Sequence, residues 1–149
     1  MITFKTLEIS DIDIITVMME DFYAIDNYPI EAQATKKMFQ EFISNENFGK
    51  AWLIYADNRI AGYVILTYIF SFEYGGKIAF VDELFIKQSA RGKGIGKETI
   101  QFVQQESPKL SLKLLYLEVE NHNENAQKLY LAHDFGFHNR KLMKYKIDK

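Results

Sequence analysis

Hydrophobic and polar positions along this chain change period several times, and each change marks the edge of an element. Residues 2–7, Ile-Thr-Phe-Lys-Thr-Leu, alternate with period two, which predicts a half-buried strand. Ser10-Asp11-Ile12-Asp13 then offers a capping residue and an acidic first turn, and Ile15, Met18, Met19 and Phe22 follow at i, i+3, i+4 and i+7. That spacing predicts a helix that buries one face, with the methionines as core filler rather than a cofactor box. The aromatic and acidic run from Phe22 to Pro29 breaks the stripe. Its rings are expected either to pack inward or to wall a substrate, since connecting loops often carry recognition. A second helix resumes through Thr35, Met38, Phe39 and Phe42.

The period then returns to that of strands. Ala51 to Tyr55 and Ile60 to Tyr68 are joined across Asp57-Asn58-Arg59, which reads as a hairpin turn. The second of these strands is almost wholly apolar, as expected of a central strand covered on both faces. Gly75-Gly76 turns the chain into a strand from Lys77 to Ile86. Ile95, Thr99 and Val103 predict a helix that stops before Pro108, and Leu114 to Val119 is a further strand. Glu124-Asn125 open a last helix with Ala126, Leu129, Tyr130 and His133 on one face, and Phe137 to Ile147 closes the chain as strand-like segments. The alternation of strands and helices predicts an α/β fold, and residues 1–149 read as a single domain without repeat or linker.

Composition narrows the setting. With 48% hydrophobic and 15% aromatic residues, the chain is expected to be globular. It has no cysteine, which excludes a disulfide framework, a thiolate nucleophile and cysteine-based zinc sites. The first residues lack a signal-peptide pattern, and no apolar run reaches the roughly 18 residues of a membrane span, so a cytoplasmic protein with no membrane partner is expected. A formal charge of -2 gives no basic footprint for nucleic acid and tilts toward a cationic substrate. So apolar a chain is also compatible with a homodimer. His122, His133 and His138 lack metal-site spacing, so no metal is expected, and the lysine-rich end from Lys141 reads as a solvated strand face.

The chemistry concentrates between Val81 and Lys97. An apolar strand carrying Asp82 and Glu83 runs into a basic, glycine-punctuated turn, and a helix opens directly behind it. Glycines let backbone approach a ligand, and the helix N-terminus adds partial positive charge, so a phosphate-bearing ligand is expected. A nucleotide P-loop is excluded, because Arg91 stands where its first glycine belongs and Glu98 where its hydroxyl belongs. A dinucleotide fingerprint fails too: Gly92-x-Gly94 leads to Lys97, and Gly94-x-Gly96 leads to Thr99, at the position of the third glycine.

What remains, Arg91-x-x-Gly94-x-Gly96 between a strand and a helix, resembles the acyl-CoA pyrophosphate loop of the GNAT superfamily of N-acetyltransferases. Val119-x-x-x-Asn123-x-x-Ala126-x-x-Leu129-Tyr130 is similar to the family's C-terminal motif, and Leu84-Phe85-Ile86 to its fourth-strand signature. The resemblance covers almost the whole chain. It implies a mixed central sheet of about six to seven strands with about four helices, strands four and five splayed. It also implies acetyl-CoA as co-substrate, held by Leu84, Phe85, Ile86, the loop residues Arg91, Gly92, Lys93, Gly94, Ile95, Gly96 and Lys97, and by Asn123 and Tyr130. Two departures stand out. Gly136-Phe137 begins six residues after Tyr130 rather than four, so the helix is expected to be extended or its exit reshaped, and Gln88 replaces a common proline.

Acyl transfer to an amine defines what else is needed. A base must take a proton from the ammonium, a backbone N–H must meet the developing oxyanion, and an acid can assist the departing thiolate. The resemblance makes Tyr130 that acid. Glu83 and Glu118 each interrupt an apolar strand, where an unpaired charge is expensive, and either could be the base or a salt-bridge partner. Asp82 alternates to the face opposite Glu83. Tyr28 and Asp26 in the aromatic loop, Glu73 in the later turn and Asp82 are candidate acceptor contacts. They lean toward a small cationic amine, polyamine or aminoglycoside-like, over a peptide amine. The reading from another class is a non-catalytic acyl-CoA sensor or regulatory protein on the same fold.

Overall fold

The structure, a computed structural model, describes residues 1–148. It divides into two compact units, one from Met1 to Glu118 and one from Val119 onward. The first runs β1 (Ile2–Thr6), α1 (Ile12–Ala24), α2 (Ala32–Ser44), β2 (Gly49–Ala56), β3 (Arg59–Ser71), β4 (Gly76–Ile86), α3 (Ile95–Glu106) and β5 (Leu115–Tyr116). The second carries α4 (Glu124–Leu131).

The five strands form one sheet in chain order, antiparallel from β1 to β4, with β5 parallel to β4. The hairpin read at Asp57-Asn58 is present: both residues take positive φ, 50° and 66°, and Ala56 pairs with Arg59 across them. Two consecutive left-handed residues are what a two-residue turn between twisted strands requires, and Asp and Asn tolerate them.

Both faces of the sheet are covered, which explains the continuous apolar run of β3. Tyr63 and Ile65 enter a core with Ile15, Met18 and Met19 of α1 and Phe39 of α2, while Val64 and Leu66 enter another with Val103 of α3. Helix α2 buries Thr35 and Phe39 but leaves Met38 60% exposed, so the predicted stripe is narrower than its apolar letters suggest. Gly62 permits close pairing of β3 with β4, because a Cβ there would stand 1.9 Å from the Phe85 carbonyl oxygen.

Strand β4 is irregular in a way its letters do not reveal. Ile65 pairs with Glu83 and Leu66 with Val81, so Asp82 is an extra residue in a β-bulge. Val81 and Leu84, three residues apart, therefore pack on the same α3-side core. Asp82 was expected on the face opposite Glu83; as the bulge residue it is exposed instead of entering the α3-side core.

The sheet has fewer strands than the six to seven expected. Strand β5 is two residues long instead of six, and residues 137–147 form no strand among the described residues. Phe137, Leu142, Met143, Tyr145 and Ile147 are between 69% and 92% exposed, so their alternation has no ladder to order it. The count of four helices holds among the described residues.

Candidate active site

Glu83 sits on β4 against β3 with an unusual shell. The Tyr23 hydroxyl, from the last turn of α1, donates to its Oε2 at 2.6 Å, and the Tyr63 hydroxyl, from β3, donates to its Oε1 at 2.8 Å. Tyr63 is fully buried, and the rings of Phe22 and Phe85 pack beside it at centroid distances of 6.4 and 5.7 Å. Burial in these rings pushes the Glu83 carboxyl above the ordinary glutamate range, because low dielectric penalises the charged form. The two hydroxyls pull it back down, and the charge of Asp82 adds to the rise. Both tyrosines are raised as well, by burial first and then by the carboxylate they face, so they remain donors.

Past Phe80 the pairing of β4 with β5 stops, and β4 continues to Ile86 with no strand along its outer edge among the described residues. Leu84, Phe85 and Ile86 occupy that last stretch. The glycine turn follows directly. A short 3-10 turn at Gln88–Ala90 leads into it, and Arg91 is tied back by an Nε–H bond to the Ile86 carbonyl at 3.0 Å. Gly94 caps α3 in the left-handed region, φ 77°, with no side-chain cap on the first-turn N–H groups. Those N–H groups have no helical acceptor and are available to an anion. Open space lies over Gly92, Gly94 and Gly96, and Arg91, Lys93 and Lys97 are exposed around them. Strand end, turn and helix start thus form one continuous surface fit for a diphosphate and its arm. Ile95 contributes differently: it is 2% exposed and anchors the helix in the core.

In the second unit Asn123 caps α4, its Oδ1 accepting the Ala126 N–H at 3.1 Å, which leaves its amide NH₂ as the side chain's donor. Tyr130 is half-buried in the last turn, and burial raises its hydroxyl, which stays protonated at neutral pH. The helix is not extended. It closes at once, with the Phe135 N–H bonded to the Tyr130 carbonyl at 3.1 Å and Asp134 in the left-handed region at φ 69°. Four residues after Tyr130, then, Asp134 takes the backbone position that a glycine would fill, and the Phe135 ring packs edge-on against Tyr130 at 5.9 Å. Gly136-Phe137 lies beyond that closure.

The other expected residues are less concentrated. Glu118 is exposed and outside β5. Tyr28 is 66% exposed, but its N–H bonds to the Tyr23 carbonyl at 3.0 Å, which links the aromatic loop to the residue holding Glu83. Asp26 is exposed in the same loop, its N–H on the same carbonyl at 3.3 Å. Glu73 lies in the β3–β4 turn at the far end of β4, roughly 20 Å from Glu83 at strand rise. A cavity of ≈ 480 Å³ opens at that same end between Phe42, Lys50, Tyr68 and Lys77, and none of the expected site residues lines it. Among the described residues, no three His, Asp or Glu side chains are grouped to hold a metal ion, and no helix is long and apolar enough to cross a membrane.

Tyr23 and Tyr63 were not singled out as site residues by sequence. The available signal was Tyr63 inside an apolar strand: a buried tyrosine must find a partner, as must a buried glutamate. Matching the two needs the register of β3 on β4, bulge included.

A family model described as the acetyltransferase (GNAT) family matches residues 13–137. An uncharacterised N-acetyltransferase in the pepI 3' region of Lactobacillus delbrueckii subsp. lactis is 23% identical over 144 residues, covering 86% of this chain and 82% of that protein. An integron cassette protein from the mobile metagenome of Cole Harbour Salt Marsh superposes with a TM-score of 0.87 at 29% identity, over 98% of this chain and 91% of that one. A predicted acetyltransferase from Clostridium acetobutylicum, solved with acetyl-CoA, superposes with a TM-score of 0.78 over 97% and 96%. Its 12% identity makes that likeness one of fold.

Proposed function

The chain belongs to the GNAT family of acetyltransferases, and on that premise we propose that it passes the acetyl group of acetyl-CoA directly to a primary amine, with Glu83 as the base and Tyr130 as the acid. Acetyl-CoA supplies an activated acetyl thioester; the chain's residues bind it, orient the amine and move two protons. The single observation that carries this reading is the Glu83 carboxylate, kept in an apolar, aromatic shell by two hydroxyls, on the strand that leads straight into the anion-binding turn.

Glu83 is preferred to Glu118 because its raised carboxyl is a better match to proton abstraction near neutral pH, and because an exposed side chain outside the sheet has no fixed geometry to offer. The uncapped start of α3, with Arg91, Lys93 and Lys97, would take the diphosphate, and the free edge of β4 from Leu84 to Ile86 would take the pantetheine arm by backbone pairing. Asn123 is proposed for the same arm from its place in the Val119 to Tyr130 motif alone. Residues 1–149 are read as one catalytic domain, since the family match runs through both compact units.

For the acceptor, Asp26 and Tyr28 on the loop tied to Tyr23, together with Asp82 beside Glu83, favour a small cationic amine over a peptide amine. Partial burial raises the Asp82 carboxyl above the ordinary aspartate range. Glu73, at the other end of β4, would reach only an elongated acceptor such as a polyamine. A thiol-release assay with acetyl-CoA over a panel of polyamines, aminoglycosides and short peptides tests this directly. Turnover highest on the small polycations is the expected result; CoA binding with no release above the water blank on any amine would replace the enzyme reading by a sensor.

A further inference from the structure

The Tyr23–Glu83–Tyr63 cluster ties together three elements, and only one of its members can be a base. We infer that Tyr63 and Tyr23 are positioning residues, which fix the Glu83 carboxylate by one hydroxyl on each oxygen and so leave its remaining lone pairs in a set direction for the acceptor's proton. This rests on the reading of Glu83 as the base.

The geometry excludes a looser role. A carboxylate that rotated freely would need only one donor, or water; here Oε2 is held at 2.6 Å and Oε1 at 2.8 Å by donors from different elements. Each ionised oxygen has about two acceptor sites, so one hydroxyl apiece leaves capacity on both for a water or an amine. The two supports also differ. Tyr63 is fully buried in β3, opposite Phe85, and is a constant part of the core. Tyr23 is half-buried at the end of α1, and its carbonyl holds the N–H groups of Asp26 and Tyr28 at 3.3 and 3.0 Å. One residue therefore holds the base through its hydroxyl and the acceptor loop through its backbone.

The charged and titratable groups facing Glu83 are Tyr23 from α1, Tyr63 from β3 and Asp82 from β4 itself. The hydroxyls stabilise the ionised form and Asp82 opposes it. Removing a hydroxyl should therefore move the Glu83 titration upward, and with it the acidic limb of kcat/KM, since activity is lost as Glu83 protonates.

The test compares wild type, Tyr63→Phe and Tyr23→Phe in two readouts on the same samples. One is the ¹³C carboxyl titration of Glu83 without substrate, its resonance assigned from Glu83→Gln. The other is the pH profile of acetyl transfer. The expected result is that midpoint and acidic limb move up together by about one pH unit in Tyr63→Phe, with kcat falling more than KM changes. A midpoint that stays put in both variants overturns the positioning role, and so does a limb that stays put while the midpoint moves. Absence of turnover by the wild type on every amine is instead a failure of the acyl-transfer reading. The carboxyl titration, which needs no turnover, then decides alone whether the hydroxyls hold Glu83.

Discussion

The two side chains proposed to move protons live in very different surroundings. Glu83 is fixed by hydroxyls from two other elements, in a sheet sandwiched between helices. Tyr130 rides on an eight-residue helix that has no fully buried residue, and its ring packs on Phe135 from the turn just behind it. Burial raises both groups, yet with opposite consequences. A raised carboxyl becomes a stronger base that is lost as pH falls, whereas a raised phenol keeps its proton and serves as a donor across the neutral range. A base that must meet an incoming amine in one direction needs a rigid frame. An acid that meets a departing thiolate, already a fair leaving group with a thiol pKa of roughly 8.5, can tolerate a simpler support.

That contrast can be broken at its strong end first. Glu83→Gln should lower kcat/KM by about 10²–10⁴ with the fold intact, while Glu118→Gln stays near wild type. A collapse in Glu118→Gln instead would move the base out of the clamp, and steady-state kinetics on the best amine distinguishes them. Tyr130→Phe should cost less, on the order of 10²-fold, with the loss greatest for kcat. Equal turnover by the two proteins would take Tyr130 out of the mechanism and leave the clamp as the whole proton machinery. The smallest effect belongs to the helix exit. Asp134→Gly relieves a left-handed non-glycine residue and should raise stability by about 0.5–1 kcal/mol, read as a higher denaturation midpoint, without moving the Glu83 titration.

The parts of the site that could be read from sequence are those whose cause is local. Arg91 to Lys97 was legible because its glycines, cations and helix start lie within a few residues of one another, and the structure supplies the left-handed Gly94 and the uncapped helix. The start of α4 at Glu124 was legible for the same reason, while the capping role of Asn123 comes from the structure. Of the two outcomes expected at the exit of α4, extension or reshaping, the structure shows the second, with the glycine's backbone position passed to Asp134. The clamp on Glu83 joins residues 60 and 20 positions apart, and no local pattern carries such a pairing. The closing strands were overread: alternation from Phe137 onward describes what a ladder could accept, and no ladder is there among the described residues.

The bulge at Asp82 is a local device laid over a register that the rest of β4 would keep without it. Were the residue deleted, Val81 and Glu83 would become ordinary neighbours on opposite faces, still opposite Leu66 and Ile65, so that Val81 would keep the α3-side core and Glu83 its hydroxyls, while the extra bend and twist that a bulge gives a strand would be lost. As far as the sheet is concerned, many letters could stand at position 82, because its side chain points to water. The sheet thus keeps its two faces with or without the residue, and what the bulge adds is the direction in which β4 runs on toward the glycine turn.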